Sequence, residues 1–117
     1  MDTLRDAMRA IVAFRDERDW AQFHTARNLA AALAIEAAEL QEVMLWKSDQ
    51  QVDALLTESK GRRELQDELG DVLIFALLLA HRCEIDPLKA IQEKLVVNGA
   101  KYPVGRSRGV STKYTDL

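Results

Sequence analysis

The stretch from Arg27 to Lys47, RNLAAALAIEAAELQEVMLWK, constrains this chain more than any other. It reads as one long, mostly apolar helix with two carboxylates, Glu36 and Glu39, set into it. At roughly 3.6 residues per turn, Leu29, Leu33, Leu40 and Val43 form one narrow stripe. Glu36 falls inside that stripe and Glu39 at its edge. A carboxylate within a core stripe is costly to bury unless a cation or strong donors meet it. What neutralises Glu36 is therefore the first question the sequence asks.

A chain of 117 residues, 48% of them hydrophobic, suits one folded domain rather than a disordered segment. Long helices with wide apolar faces on so short a chain point to a partner chain that covers them. The net charge of -3 argues against non-specific coating of nucleic acid. Acidic residues concentrate in the middle and the stretch from Lys94 onward is basic, a distribution that suits a metal-bound phosphate ligand. A single cysteine, Cys83, excludes an internal disulfide and any CxxC pattern. Its place on a helical stripe predicts a small buried hydrophobe. The N-terminal MDTLRDAMRA has no long apolar run, and Val72 to Ala80 is far shorter than the roughly 20 residues of a membrane span. A cytoplasmic protein without membrane contact is expected.

The spacing of Leu4, Met8, Ile11 and Val12 predicts a first helix from Thr3 to about Arg18. Trp20, Phe23 and His24 form an aromatic connector, and Thr25 is the expected N-cap of the long second helix. The polar segment SDQQVDALLTESKG accommodates a short helix between two turns. A third long helix follows from about Arg62 to Glu84, with Leu65, Leu69, Val72, Ala76, Leu79 and Cys83 as its stripe. Asp86-Pro87 starts the last helix, whose inner face is predicted to carry Leu88, Ile91, Leu95, Asn98 and Tyr102. Pro103 ends it. The expected organisation is one all-α domain over 1–104 and a basic C-terminal tail over 105–117.

Two helices thus each carry acids at i and i+3, Glu36 with Glu39 and Glu68 with Asp71, a spacing that places both members of a pair on one face. If the helices pack antiparallel, four carboxylates converge. An all-oxygen set of this kind selects a hard divalent ion, magnesium or manganese, over zinc. Glu42, Glu64 and Asp67 read instead as a solvated helix face. A di-iron bundle needs Glu-x-x-His pairs, and three residues after Glu39 and Glu68 stand Glu42 and Asp71.

Other polar groups point toward a nucleotide. On the second helix Asn28, Glu39 and Trp46 fall at nearly one angle. Trp46 reads either as a ring that stacks on a base, a contact worth about 1–3 kcal/mol, or as a tryptophan packed in the core or at a dimer seam. His24 and Arg27 stand near the helix start, as ligand donors or as surface groups. Lys94, Asn98, Lys101 and Tyr102 line one broad side of the last helix, followed by Arg106 and Arg108. This run is either solvated charge or a set of donors reaching over a triphosphate.

The pattern Glu36-Ala-Ala-Glu39, then Glu68-Leu-Gly-Asp71, resembles the ExxE…ExxD signature of the MazG-like nucleoside triphosphate pyrophosphohydrolases. FHTARNLAAALAIEAAELQEVMLWK and DELGDVLIFALLLAHRCEIDPLKAIQEKLVVNGAKYPVGRSRG are similar to that family's blocks, especially in the branch that includes the dCTP pyrophosphatases. The resemblance implies an all-α, MazG-like fold whose four-helix bundle is completed by oligomerisation, as a homodimer or homotetramer. It implies Mg2+, with Mn2+ as a substitute, at Glu36, Glu39, Glu68 and Asp71. It implies hydrolysis of (deoxy)nucleoside triphosphates between the α- and β-phosphates, with dCTP or modified pyrimidine nucleotides favoured, in nucleotide-pool house-cleaning. His24, Asn28, Trp46 and Lys47 would lie around base and sugar, and Lys94, Asn98, Lys101 and Tyr102 around the phosphates. Val96 stands where the dCTP-preferring branch often has an aspartate. Glu39 is the carboxylate expected to orient the attacking water. Other readings are the same chemistry on phosphoribosyl-ATP, or a non-catalytic nucleotide-binding or helical dimerisation module.

Overall fold

Side-chain caps set the starts of four helices in the computed structural model, which describes residues 1–117. The elements are α1 (Leu4–Glu17), a 3-10 turn (Ala21–Phe23), α2 (Ala26–Met44), α3 (Asp49–Thr57), α4 (Ser59–Arg82), α5 (Pro87–Lys101), α6 (Val104–Ser107) and a second 3-10 turn (Tyr114–Asp116). There is no strand, so the fold is all-α. The Thr3 hydroxyl accepts from the amide of Asp6 at 3.1 Å and the Thr25 hydroxyl from that of Asn28 at 3.2 Å. Ser48 and Gln51 close a reciprocal capping box at α3. Asp86 accepts from the amides of Leu88 and Lys89, with Pro87 in the first helical turn of α5. No helix is long and apolar enough to cross a membrane.

Two compact units make up the chain, Met1–Glu84 and Ile85–Leu117. In the first, α4 is the central rod, packed against α2, α1 and α3. Leu29 of α2 and Leu78 of α4 are its fully enclosed side chains, 1% and 4% exposed. At the α3–α4 junction Gly61 is buried, and a Cβ built on it would stand 2.6 Å from both the Leu55 side chain and the Leu55 carbonyl oxygen. Only glycine lets the two backbones approach that closely.

Several expectations need correction. α2 stops at Met44, short of Lys47, so Trp46 does not share a helical face with Asn28 and Glu39. The capping box fixes the start of α3, leaving residues 45–48 to make the turn, and Trp46 makes it in the left-handed region at φ 63°. Cys83 is exposed rather than buried: α4 ends at Arg82, and Glu84 turns left-handed at φ 56° just beyond, so the apolar stripe stops short of the thiol. Leu69 on the α4 stripe is exposed, and so are its neighbours Leu73 and Ile74. In the second unit Leu88, Ile91 and Leu95, expected on an inner face, are each more than half exposed. The basic tail, which the sequence suggests is a loop, holds part of α6 and the 3-10 turn at Tyr114.

Candidate active site

The packing of α2 on α4 answers the question posed by Glu36. It brings Glu36 and Glu39 of α2 against Glu68 of α4, with one carboxylate oxygen of each lying within 4.8 Å of the others. Glu36 and Glu68 are half-buried, and each has one oxygen, Oε2, shut from solvent without a hydrogen-bond partner. No lysine or arginine pairs with them. Burial raises the Glu36 carboxyl above the usual range, helped by a hydrogen bond with Glu39 and by the charges of Glu39, Asp71 and Glu68. Burial raises Glu68 too, followed by the charges of Glu39, Asp71, Asp67 and Glu42. Asp71 stands outside the tight trio, yet its charge acts on both glutamates. Orphaned carboxylate oxygens in an all-oxygen cluster suit a hard divalent cation.

Asp71 also lines a neighbouring cleft of about 400 Å³. The apolar walls of this cleft come from Ile11 and Phe14 of α1 and from Ile74, Phe75 and Leu78 of α4. Trp20, His24 and Arg15 complete it. Local structure sets the aromatic edge. Asp19 takes φ 53°, a conformation aspartate tolerates better than most residues, and the Trp20 amide folds back to the Arg15 carbonyl at 3.1 Å. The Trp20 ring then meets Phe14 edge-on at 5.9 Å and His24 at 6.4 Å. The Arg18 guanidinium lies 3.6 Å above the Phe14 ring and donates to the Phe14 carbonyl, fixing that edge.

His24 presents a buried Nδ1 with no partner. Burial lowers its pKa from the ordinary value, and the charge of Arg15 lowers it further, so the ring is neutral at neutral pH. An apolar cleft with a few convergent polar groups is the usual form of a small-molecule site. Nothing in the sequence marks Phe14, Arg15, Ile11 and Phe75 as site residues, Ile11 reading only as part of the apolar spacing of the first helix. On a helical wheel they look like ordinary core or rim positions, and only the crossing of α1 over α4 turns them toward one space.

The remaining sequence candidates are placed as follows. The Asn28 side-chain amide donates to the Phe23 carbonyl at 3.0 Å, tying the connector to α2. Trp46 is 93% exposed and, with Lys47, lies in the α2–α3 turn away from the cleft lining. In the second unit, Lys94 and Asn98 line a shallow groove on α5 with Ala90, Ile91 and Leu95. Lys101 and Tyr102, at the end of α5, are both in contact with Tyr114.

Comparison with known proteins gives concordant results. A family model described as the MazG-like family matches residues 31–117. The chain is 47% identical to dCTP pyrophosphatase 1 of Rattus norvegicus and 43% identical to dCTP pyrophosphatase 1 of Homo sapiens, in each case over 98% of this chain and 68% of the relative. Among solved structures, a pyrophosphatase from Archaeoglobus fulgidus superposes with a TM-score of 0.78 at 38% identity, covering 86% of this chain and 92% of that one.

Proposed function

Since the chain belongs to the MazG-like family, we propose that it hydrolyses nucleoside triphosphates, dCTP foremost, between the α- and β-phosphates, releasing the monophosphate and pyrophosphate. The observation that carries this reading is the juxtaposition of the Glu36–Glu39–Glu68 cluster with the aromatic cleft, linked by Asp71, which lines the cleft and whose charge acts on Glu36 and Glu68. The relatives named dCTP pyrophosphatase 1 support the substrate class.

Glu36, Glu39, Glu68 and Asp71 would hold divalent cation, Mg2+ with Mn2+ as substitute. Bound there, it supplies positive charge for the phosphate oxygens and acidifies water. Glu39, on the same face of α2 as Glu36, orients the attacking water through its carboxylate. The Trp20 ring and the neutral His24 ring receive the base in the cleft, which excludes water from that side. Asn28 acts at one remove, by holding the Phe23 carbonyl and so the connector. The family resemblance assigns Lys94, Asn98, Lys101 and Tyr102 to the phosphates, a role in which cationic and donor groups would stabilise the leaving pyrophosphate. The catalytic domain is residues 1–104, with 105–117 as its tail.

A single copy leaves Phe23, Ile35, Leu69 and Leu73 exposed. Apolar exposure on this scale favours a homodimer or homotetramer that completes the helical bundle. Trp46 and Lys47, outside the cleft lining of their own chain, would meet base and sugar from a neighbouring copy. The working compartment is the cytoplasm, and the role is house-cleaning of the nucleotide pool.

The test is pyrophosphate release from a panel of nucleoside triphosphates with Mg2+, run beside Glu36→Gln and Glu68→Gln. Release from dCTP that exceeds the other substrates and falls at least a hundredfold in each variant is expected. Undiminished turnover in both variants would reject the site.

A further inference from the structure

We infer that Tyr114 is a positioning residue for the triphosphate, its ring holding the Lys101 ammonium and the Tyr102 ring as one unit at the end of α5. The inference deepens the proposed function and rests on its reading that Lys101 and Tyr102 meet the phosphates. The Lys101 Nζ lies 4.7 Å from the centroid of the Tyr114 ring. Tyr102 meets the same ring edge-on, centroids 5.9 Å apart and planes at 79°. Tyr114 is thus wedged between two consecutive residues whose direction is already set by α5, since the Tyr102 amide returns to the Asn98 carbonyl at 2.8 Å. The segment that carries Tyr114 is itself fixed: the Asp116 amide donates to the Lys113 carbonyl at 2.9 Å, and Leu117 just beyond is half-buried.

The choice of partner matters. A lysine on its four-carbon stem samples many rotamers, and ordering it at a ligand costs entropy. A carboxylate partner would order it but would compete with phosphate for the same charge. No carboxylate pairs with Lys101. An aromatic face narrows the rotamers by cation–π attraction while leaving the charge undiminished. No hydrogen bond engages the Tyr114 hydroxyl, so the ring, not the phenol, carries the role.

The experiment compares steady-state dCTP hydrolysis and inhibition by inorganic tripolyphosphate in four full-length proteins. Tyr114→Leu keeps apolar bulk and removes the π-face. It is expected to raise KM for dCTP and the tripolyphosphate Ki about two- to fivefold, the worth of an exposed cation–π contact, with kcat retained. Tyr114→Phe, which keeps the face, restores both constants. A Tyr114→Leu enzyme with wild-type KM, or a Tyr114→Phe enzyme as impaired as Tyr114→Leu, overturns the inference. Lys101→Met separates the two layers. If it leaves KM and Ki unchanged, the phosphate role of Lys101 fails; if it raises both while Tyr114→Leu raises neither, only the positioning role fails. Should Tyr114→Leu not fold, the wild-type protein still decides: the Lys101 ε-methylene protons must show an upfield ring-current shift by NMR, and unshifted resonances overturn the inference.

Discussion

Neutralising Glu36 should move stability in opposite directions with and without metal. In chelator the folded chain holds several carboxylates together with no cation between them, and Glu36 faces Glu39 and Glu68 with oxygens within 4.8 Å. Two unit charges at that distance repel by about 0.9 kcal/mol at the dielectric constant of water and several times more in a protein interior. The cluster is only half-buried and salt screens it. Glu36→Gln should therefore stabilise the metal-free protein by about 1 kcal/mol, or about 4 °C in Tm for a chain of this length.

The pH dependence follows from the raised carboxyls. A folded-state pKa above the unfolded value gives stability that is full below the unfolded carboxylate range and lost as pH rises through the folded value. The gain from Glu36→Gln in chelator is accordingly present at neutral pH and closes in acid. With Mg2+ or Mn2+ at a hundred times its dissociation constant, binding adds about 2.7 kcal/mol to the wild-type protein, roughly 10 °C in Tm, and the variant should lose most of that gain. Differential scanning calorimetry in chelator and across a metal titration, at neutral pH and near pH 4, reads all of this. A variant less stable than wild type in chelator, or one that gains as much from metal, would refute the shared-cation account of the cluster.

Other outcomes follow from the same geometry. Trp20→Ala should raise KM for dCTP by roughly five- to a hundredfold, since stacking on a base is worth about 1–3 kcal/mol; an unchanged KM would move the base out of the cleft. The lowered pKa of His24 gives stability that is present above its unfolded value of about 6.5 and lost as pH falls through the folded value. In chelator, His24→Gln should flatten the loss of Tm below that pH relative to wild type, and an identical acid profile would contradict a buried neutral ring. Gly61→Ala forces a methyl against the Leu55 carbonyl and should cost about 1–3 kcal/mol by overpacking, measured as a lower urea midpoint at unchanged slope.

The sequence by itself determined that the chain is helical and where its capped helices start. Thr3, Thr25, Ser48, Asp86 and Pro87 act through hydrogen bonds and ring geometry within one turn, so their effect can be read without knowing what lies across the fold. It also located the unusual acids, because i, i+3 spacing on a helix is a local fact. The relation between helices was not local. The approach of α2 to α4 decided that Glu36, Glu39 and Glu68 form the tight trio while Asp71 stands at its edge on the cleft. The crossing of α1 over α4 turned Phe14, Arg15 and Phe75 into walls of a binding space. Two residues show where periodicity misleads. Trp46 leaves the α2 wheel because the α3 capping box takes over the backbone, and Cys83 leaves the α4 stripe because the helix has already ended. Short-range hydrogen bonding writes itself into consecutive residues, whereas the meeting of distant side chains depends on how rods pack, and that is settled only when the whole chain folds.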